Sequence, residues 1–259
     1  MFNTLTPVIS EVREHVGTSG FVSLFLDFDG TLVPITADPS APLLDPDTAE
    51  ILHLISGQDV STTTIISGRA VEDLYARIRL AGLIYAGNHG LEVFGRNLRF
   101  VEPLAWERRD PLARLCEKLA AELAPIDGAA VECKGLTASV HYRLADVADW
   151  PEIQRIVYAA AARNNSLFRI APGRKTFDIV PRTSWHKGAL VEWINRQFDR
   201  KDTLTVYVGD DDSDEEAFSV LSDAITIKVG DGPLTCARHQ LPDPVAVHEF
   251  LLWMATQLS

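Results

Sequence analysis

FVSLFLDFDGTL (residues 21–32) runs from an apolar stretch straight into two carboxylates, Asp27 and Asp29, followed by Gly30 and Thr31. An apolar run of this length with Val and Phe predicts a buried strand over 21–27. Side chains two apart on an extended chain point the same way. Two acids leaving a buried strand together, beside a glycine that lets the backbone turn, make poor core. They suit a hard divalent cation and attack on a phosphorus atom. Taken alone, the pair fits either a metal site or a solvated loop.

Outward from this stretch the chain alternates. Helix is expected over 46–56 and 69–80, and strand over 61–67 and 83–87. A hairpin is expected around Gly95-Arg96-Asn97. Alternation resumes with helix at 186–198, strand at 203–209, helix at 214–222, strand at 224–230 and a closing helix at 244–258. Strand–helix–strand alternation implies parallel pairing with right-handed crossovers. The middle reads differently: helices at 110–124 and 151–163, two strands within 131–143, and a hairpin over 167–181 turning at Pro172-Gly173. The expected architecture is α/β, a parallel core of residues 1–99 and 183–259 split by an inserted α+β module of residues 100–182. That module is expected to act as a lid, with hinges near 98–106 and 181–186.

In open parallel sheets, ligands bind beyond the carboxyl ends of the strands. The polar residues fall at those ends: Asp27 and Asp29, Ser67-Gly68-Arg69, Asn88-His89-Gly90, and Gly209 through Glu215. The chemistry they suit is phosphoryl transfer. A carboxylate attacks phosphorus to give an aspartyl-phosphate, and a second carboxylate protonates the leaving oxygen and later deprotonates water. Magnesium takes oxygen ligands in an octahedron, which Asp27, the Asp29 carbonyl and Asp210 can supply. Ser67 can donate to a phosphate oxygen, and Lys187, just before a helix, can hold the phosphoryl group and nucleophile in register. Each cluster by itself is a common turn or helix cap; the ordered set is not.

Composition agrees. The 259 residues carry 36 acidic against 24 basic side chains, a net charge of -12, which argues against nucleic-acid binding. Cys116, Cys133 and Cys236 are sparse and lack metal-ligand spacing, as expected of a reducing cytoplasm. No apolar run reaches membrane-spanning length, and the first residues lack a signal-peptide pattern.

DFDGTL, Ser67 in IISGR, Lys187 and GDDDSDE together resemble the four-motif pattern of the haloacid dehalogenase superfamily, from about residue 21 onward. The resemblance implies a Rossmann-like core with a C2-type cap between the second and third motifs. It makes Asp27 the nucleophile, Asp29 the acid/base, Ser67 and Lys187 phosphate contacts, and Mg2+ the cofactor on Asp27, Asp29 (main chain) and Asp210. Asp211 and Asp214 would support that site from behind. GNHGLE (87–92), VECKGLTASVHYR (131–143) and PGRKTFDIVPRTSWHKG (172–188) are similar to trehalose-6-phosphate phosphatases. That likeness implies a sugar-facing set drawn from Glu132, Lys134, His141, Tyr142, Arg143 and Asp178, with Arg69, Asn88 and His89 near the seam of core and cap.

The family usually has Glu where this chain has Asp178, one methylene shorter. Another glycosyl phosphate, glucosylglycerol phosphate or sucrose phosphate, is therefore the alternative substrate. A sugar phosphomutase and an inactive phosphosugar-binding module are the other readings. A monomer is expected, acting on a small phosphosugar, with a synthase partner left open.

Overall fold

The computed structural model describes residues 2–17, 20–36, 42–173, 175–232 and 234–258. Arg174, part of one quoted stretch, lies outside them. In chain order the described elements are α1 (Phe2–Gly17), β1 (Phe21–Asp27), α2 (Pro46–Ser56), β2 (Ser61–Ile66), α3 (Val71–Ile78), β3 (Ile84–Gly87), β4 (Glu92–Gly95), β5 (Leu98–Val101), α4 (Pro103–Glu107) and α5 (Arg109–Leu123). They continue with β6 (Ala130–Cys133), β7 (Ala138–His141), α6 (Trp150–Arg163), β8 (Phe168–Gly173), β9 (Thr176–Pro181), α7 (Lys187–Phe198), β10 (Thr203–Gly209), α8 (Asp212–Val220), β11 (Ile225–Val229), β12 (His239–Leu241) and α9 (Pro244–Leu258). The chain separates into two compact units, residues 1–100 with 185–259, and residues 101–184.

The first unit is built on one sheet of order β12-β11-β10-β1-β2-β3-β4-β5. Strands β12 through β3 run parallel, and β4 turns back antiparallel to β3. The expected α/β class with a mostly parallel sheet is borne out. β1 lies between β10 and β2, and helices cover both faces of the sheet there, so its sequence reads apolar without alternation. Val22, Leu24 and Leu26 join a cluster with residues of α1, α2 and α9. Phe25 points the other way, to a cluster with Leu190, Val191 and Ile194 of α7. At about 25 cal/mol per Å² of apolar surface, each such side chain contributes roughly 1.5–3 kcal/mol.

Local signals set the boundaries. Asp45 accepts from the Asp47 and Thr48 amides, and Pro46 opens α2, where a missing N–H costs nothing. Arg96 and Asn97 both have positive φ, 45° and 65°, as a tight hairpin between β4 and β5 requires.

Three elements depart from expectation. α1 is a helix although Pro7 sits inside it; Val8 and Val12, one turn apart, are buried in the core. β12 adds an edge strand of three residues, too short for any pattern to show. Pro172 and Gly173 are not the turn of the late hairpin but the end of β8, and Gly173 pairs with Thr176. The chain therefore turns between Gly173 and Thr176, where Lys175 takes a left-handed φ of 67°.

The second unit carries an antiparallel sheet of order β6-β7-β9-β8. α5 and α6 pack on one face, against Ala138, Val140, Phe177 and Ile179. Alternation along each strand sends the intervening residues Glu132, Ser139, His141 and Asp178 to the opposite face.

Candidate active site

Four strand ends of the first unit meet at its carboxyl edge. β1 ends on Asp27, β2 leads into Ser67, β3 into Asn88, and β10 into Asp210. Register puts Asp27 beside Ile66 and Leu26 beside Val208. Asp27, Ser67, Lys187, Asp210 and Asp214 are all buried, with exposures of 4, 2, 2, 6 and 0%.

Lys187, the first residue of α7, joins the parts. Its ammonium donates to Asp27 Oδ1 at 2.9 Å, to Asp214 Oδ1 at 2.6 Å and toward Asp211 Oδ1 at 3.5 Å. Burial alone would lower its pKa; the Asp211, Asp214 and Asp27 carboxylates outweigh that, so it stays charged well above the ordinary lysine range. Asp27 moves well above the usual carboxylate range, first because it is buried, with Lys187 opposing and Asp214, Asp211 and Asp210 adding to the rise. Asp214 is pushed up to about 7, mainly by burial. Asp211 goes the other way: Lys187 and hydrogen bonds from Asp214 and Ser213 overcome its burial. One lysine faces more carboxylates than it can neutralise.

That surplus of negative charge fits a hard divalent cation. Carboxylate oxygens of Asp27, Asp210 and Asp214 lie within 4.8 Å of one another, and hard cations take such oxygens. Asp214, expected to stand behind the site, is in this cluster, yet it is also the most committed of the three. It accepts from the Tyr207 hydroxyl at 2.7 Å and from the Asp211 amide at 3.0 Å. With Asp211 it forms a reciprocal capping box that starts α8. The acidic run thus caps a helix and builds the site with the same atoms.

Two glycines let the carboxylates sit where they do. Gly30 has φ +95°, and a Cβ there would overlap the Asp210 carboxylate. A Cβ on Gly209 would overlap the Asp214 carboxyl group. Gly209→Ala should therefore displace Asp214 and, with it, Lys187. Overpacking costs about 1–3 kcal/mol; we expect a loss of that size in thermal unfolding, together with a fall in turnover of about tenfold or more. Unchanged unfolding and turnover would refute the steric reading.

Asp29, more open than Asp27, has its carboxylate gripped by Arg69 through Nε and Nη2, each at 2.7 Å. Arg69 also reaches Asp73 at 3.0 Å. Arg69, expected near the seam of core and cap, bonds Asp29 and Asp73 through its guanidinium and so orients the Asp29 carboxylate. Burial pulls its pKa down, but the Asp29 and Asp73 hydrogen bonds and charges raise it overall.

The loops after β2 and β3 are stitched together. The Asn88 amide donates to the Arg69 carbonyl at 2.6 Å and the His89 amide to the Ser67 carbonyl at 2.9 Å. Asn88 and His89 both have left-handed φ, 50° and 60°, a local strain held by this network. Asn88 is fully buried and its side-chain amide donates to Glu92 at 2.6 Å. The His89 ring lies against Gly68, where a Cβ would meet it. Glu92, the last residue of the quoted GNHGLE stretch, and Tyr207, outside every motif, support the site although the sequence reading gives neither a role. Glu92 also accepts from the Val71 amide at 2.9 Å, and so fixes the start of α3. A tyrosine in an otherwise apolar buried strand signals a hidden hydroxyl partner, here Asp214.

In the second unit, Glu132 and His141 meet across β6 and β7 at 2.8 Å. Asp178 accepts from the Ser139 hydroxyl at 2.5 Å, its register neighbour on β7. Ser139 lies within the quoted stretch 131–143 but is given no role there; its hydroxyl secures the shorter Asp178 side chain on the sheet. Lys134 lies just past β6, where its amide donates to the Thr137 carbonyl, and Arg143 lies exposed past β7.

The α/β fold with its mostly parallel sheet is that of solved trehalose-6-phosphate phosphatase structures. A trehalose-phosphatase family profile matches residues 25–240. A probable trehalose-phosphate phosphatase 2 of Oryza sativa subsp. japonica is 32% identical, over 91% of this chain and 68% of its own length. Trehalose 6-phosphate phosphatase RA3 of Zea mays is 30% identical, over 91% and 70%. The C-terminal domain of C. albicans trehalose-6-phosphate phosphatase superposes with a TM-score of 0.79 at 19% identity, covering 96% of this chain and 98% of that one. The chain spans about two thirds of the length of the two plant relatives. It belongs to the trehalose-phosphatase family. Among the described residues, no helix is long and apolar enough to cross a membrane.

Proposed function

We propose that the protein is a Mg2+-dependent phosphatase that hydrolyses trehalose 6-phosphate through an aspartyl-phosphate on Asp27. The observation that carries this reading is the meeting of Asp27, Asp210 and Lys187 at one edge of the parallel sheet, in a chain of this family. Asp27 Oδ attacks phosphorus as the sugar oxygen departs; Asp29 gives that oxygen a proton. Asp29 then takes a proton from water, which attacks the acyl-phosphate, releases phosphate and restores Asp27. Because Arg69 grips both oxygens of Asp29, its hold must loosen on one of them before Asp29 can carry a proton. Ser67 donates to a phosphate oxygen, and Lys187 holds the attacking carboxylate in register while offsetting charge on the phosphoryl group. Asp27, Asp210 and the Asp29 carbonyl would hold Mg2+, which when bound would polarise phosphate oxygens and balance the surplus charge of the acids. Asp211 and Asp214 act by fixing Lys187.

The second unit serves sugar recognition. Disaccharide hydroxyls need convergent donors and acceptors, and the open face of its sheet offers Glu132, His141 and Asp178, with Lys134 and Arg143 beyond the strand ends. The setting is a reducing cytoplasm, and the working unit a monomer.

A phosphate-release screen tests both substrate and metal. With Mg2+, trehalose 6-phosphate should exceed sucrose 6-phosphate, glucosylglycerol phosphate and hexose phosphates by about tenfold or more in kcat/KM, since a polar site left unpaired discriminates strongly. Chelation should abolish release, and Mg2+ should restore it without a bisphosphate activator. Preference for another ester would reassign the sugar; activity surviving chelation would remove the metal from the reaction.

A further inference from the structure

Behind Asp210, on the side of the sheet away from β1, lies a polar cluster that the reaction as described does not use. Lys228 sits in β11, in register with Gly209, and its side chain is only 13% exposed. Its ammonium donates to the Asp210 main-chain carbonyl at 2.7 Å and lies 3.4 Å from Glu215 Oε1. Glu215 is held in turn: it accepts from the Thr235 hydroxyl at 2.8 Å and from the Cys236 amide at 2.8 Å. The Thr235 hydroxyl also accepts from the Ala237 amide at 3.0 Å. A chain of polar contacts therefore runs from the segment after β11, through Glu215 and Lys228, to the backbone of Asp210.

Asp210 is thus fixed from both ends. Its carbonyl is tied to Lys228, and its carboxylate rests over Gly30, toward the Thr31 hydroxyl at 3.4 Å. A peptide carbonyl held by a buried ammonium cannot swing without losing a charge-assisted hydrogen bond. The carboxylate attached to the same residue is then presented to Asp27 in one orientation, a supporting contact of the kind that tunes metal ligands from outside.

We propose that Lys228 is a positioning residue which sets the divalent-cation affinity of the site by clamping the Asp210 carbonyl, with Glu215 holding Lys228 in place. The proposal rests on the reading of Asp27 and Asp210 as cation ligands. It opposes a simpler expectation: a lysine near a cation site repels the cation, so that its removal would tighten binding.

The two are told apart by titrating the full chain with Mg2+ and with Mn2+ by isothermal calorimetry, alongside kcat at saturating Mg2+. Lys228→Met should raise the cation Kd about tenfold, equivalent to about 1.4 kcal/mol, while kcat at saturating Mg2+ falls less than about threefold, within the range expected when only ligand orientation is lost. Lys228→Arg, which keeps a charged donor, should recover most of the affinity. Should Lys228→Met not fold, Glu215→Gln decides: releasing Lys228, it should raise the Kd severalfold. An unchanged or tighter Kd, or a fall in kcat with the Kd intact, would overturn the proposal. Absence of any cation binding by the unaltered protein would instead sink the underlying metal reading, which is a distinct result.

Discussion

Asp27→Asn should lose turnover by about 10⁵-fold or more while the protein becomes more stable. An amide cannot attack phosphorus, and phosphate monoester hydrolysis is so slow unaided that losing the nucleophile leaves little rate. The gain in stability follows from charge. Asp27 is buried beside Asp214, Asp211 and Asp210 with Lys187 as the near cation, and its pKa lies above that of an unfolded aspartate. A carboxylate raised in this way opposes folding whenever it is ionised, which at neutral pH it must be for attack; each tenfold gain in proton affinity over the unfolded chain then costs about 1.4 kcal/mol. Asparagine has nearly the same shape and no charge. In chelator, the unfolding midpoint of Asp27→Asn should exceed that of the native protein by several degrees, roughly 1 kcal/mol or more. With saturating Mg2+ the order should narrow or reverse, because the native site gains more from the cation. Equal midpoints with and without Mg2+ would mean that the acid cluster is not under charge strain. Retained turnover on any phosphate ester would remove Asp27 as the nucleophile.

Lys187→Met should fail in the opposite sense, losing both activity and stability. The ammonium is 2% exposed and touches Asp27 and Asp214 at 2.9 and 2.6 Å. Taking one partner from a buried ion cluster costs about 3–5 kcal/mol, since the charges left behind have neither water nor a counter-ion. Tyr207 already donates to Asp214 at 2.7 Å, and it is the only other donor in contact with that carboxylate's Oδ1 among the described hydrogen bonds. Turnover should fall by about 10³-fold or more, comparable to the loss of a donor aimed at developing charge. Urea unfolding in chelator should show the full destabilisation, and Mg2+ should recover part of it. Lys187→Arg should not rescue, because a planar fork cannot take the place of a compact ammonium between converging carboxylates. A variant as stable as the native protein would show that the cluster does not depend on its lysine.

The parallel core was legible because buried strands and amphipathic helices leave opposite periodicities. The site was legible because each apolar strand ends abruptly in polar residues. Where reading failed, the reason was local. α1 has a proline inside it, and of its described residues Val8 and Val12 are buried in the core with Ile9 and Val16 packed beside them, an apolar stripe too short to stand out in the sequence. Pro172-Gly173 looks like a turn by composition, yet its strand simply runs on to Gly173, and the left-handed Lys175 makes the bend instead. Partnerships between distant residues left no trace in spacing. Nothing in the order of residues says that Arg69 will bind Asp29, forty positions away, that Glu92 will hold both Asn88 and the start of α3, or that Ser139 will secure Asp178. Such pairs are set by strand order, which emerges only when the sheet is assembled.

That strand order also fixes when the site can exist during synthesis. β1 needs β10 on one side, and their pairing joins Phe21 to Thr203. While the ribosome is still making the second unit, the strand bearing Asp27 has one open edge, and neither Lys187 nor Asp210 has been made. A nascent chain halted there displays the nucleophile's strand but no cation cluster and no lysine to steady it. The second unit has its own apolar core; once folded, it draws residues 100 and 185 together and shortens the loop that β1 and β10 must close, lowering an entropic cost that grows with loop length. Phosphatase chemistry is thus withheld until Lys187 and β10 with Asp210 have been translated, and early release yields a sticky sheet edge rather than a partial enzyme.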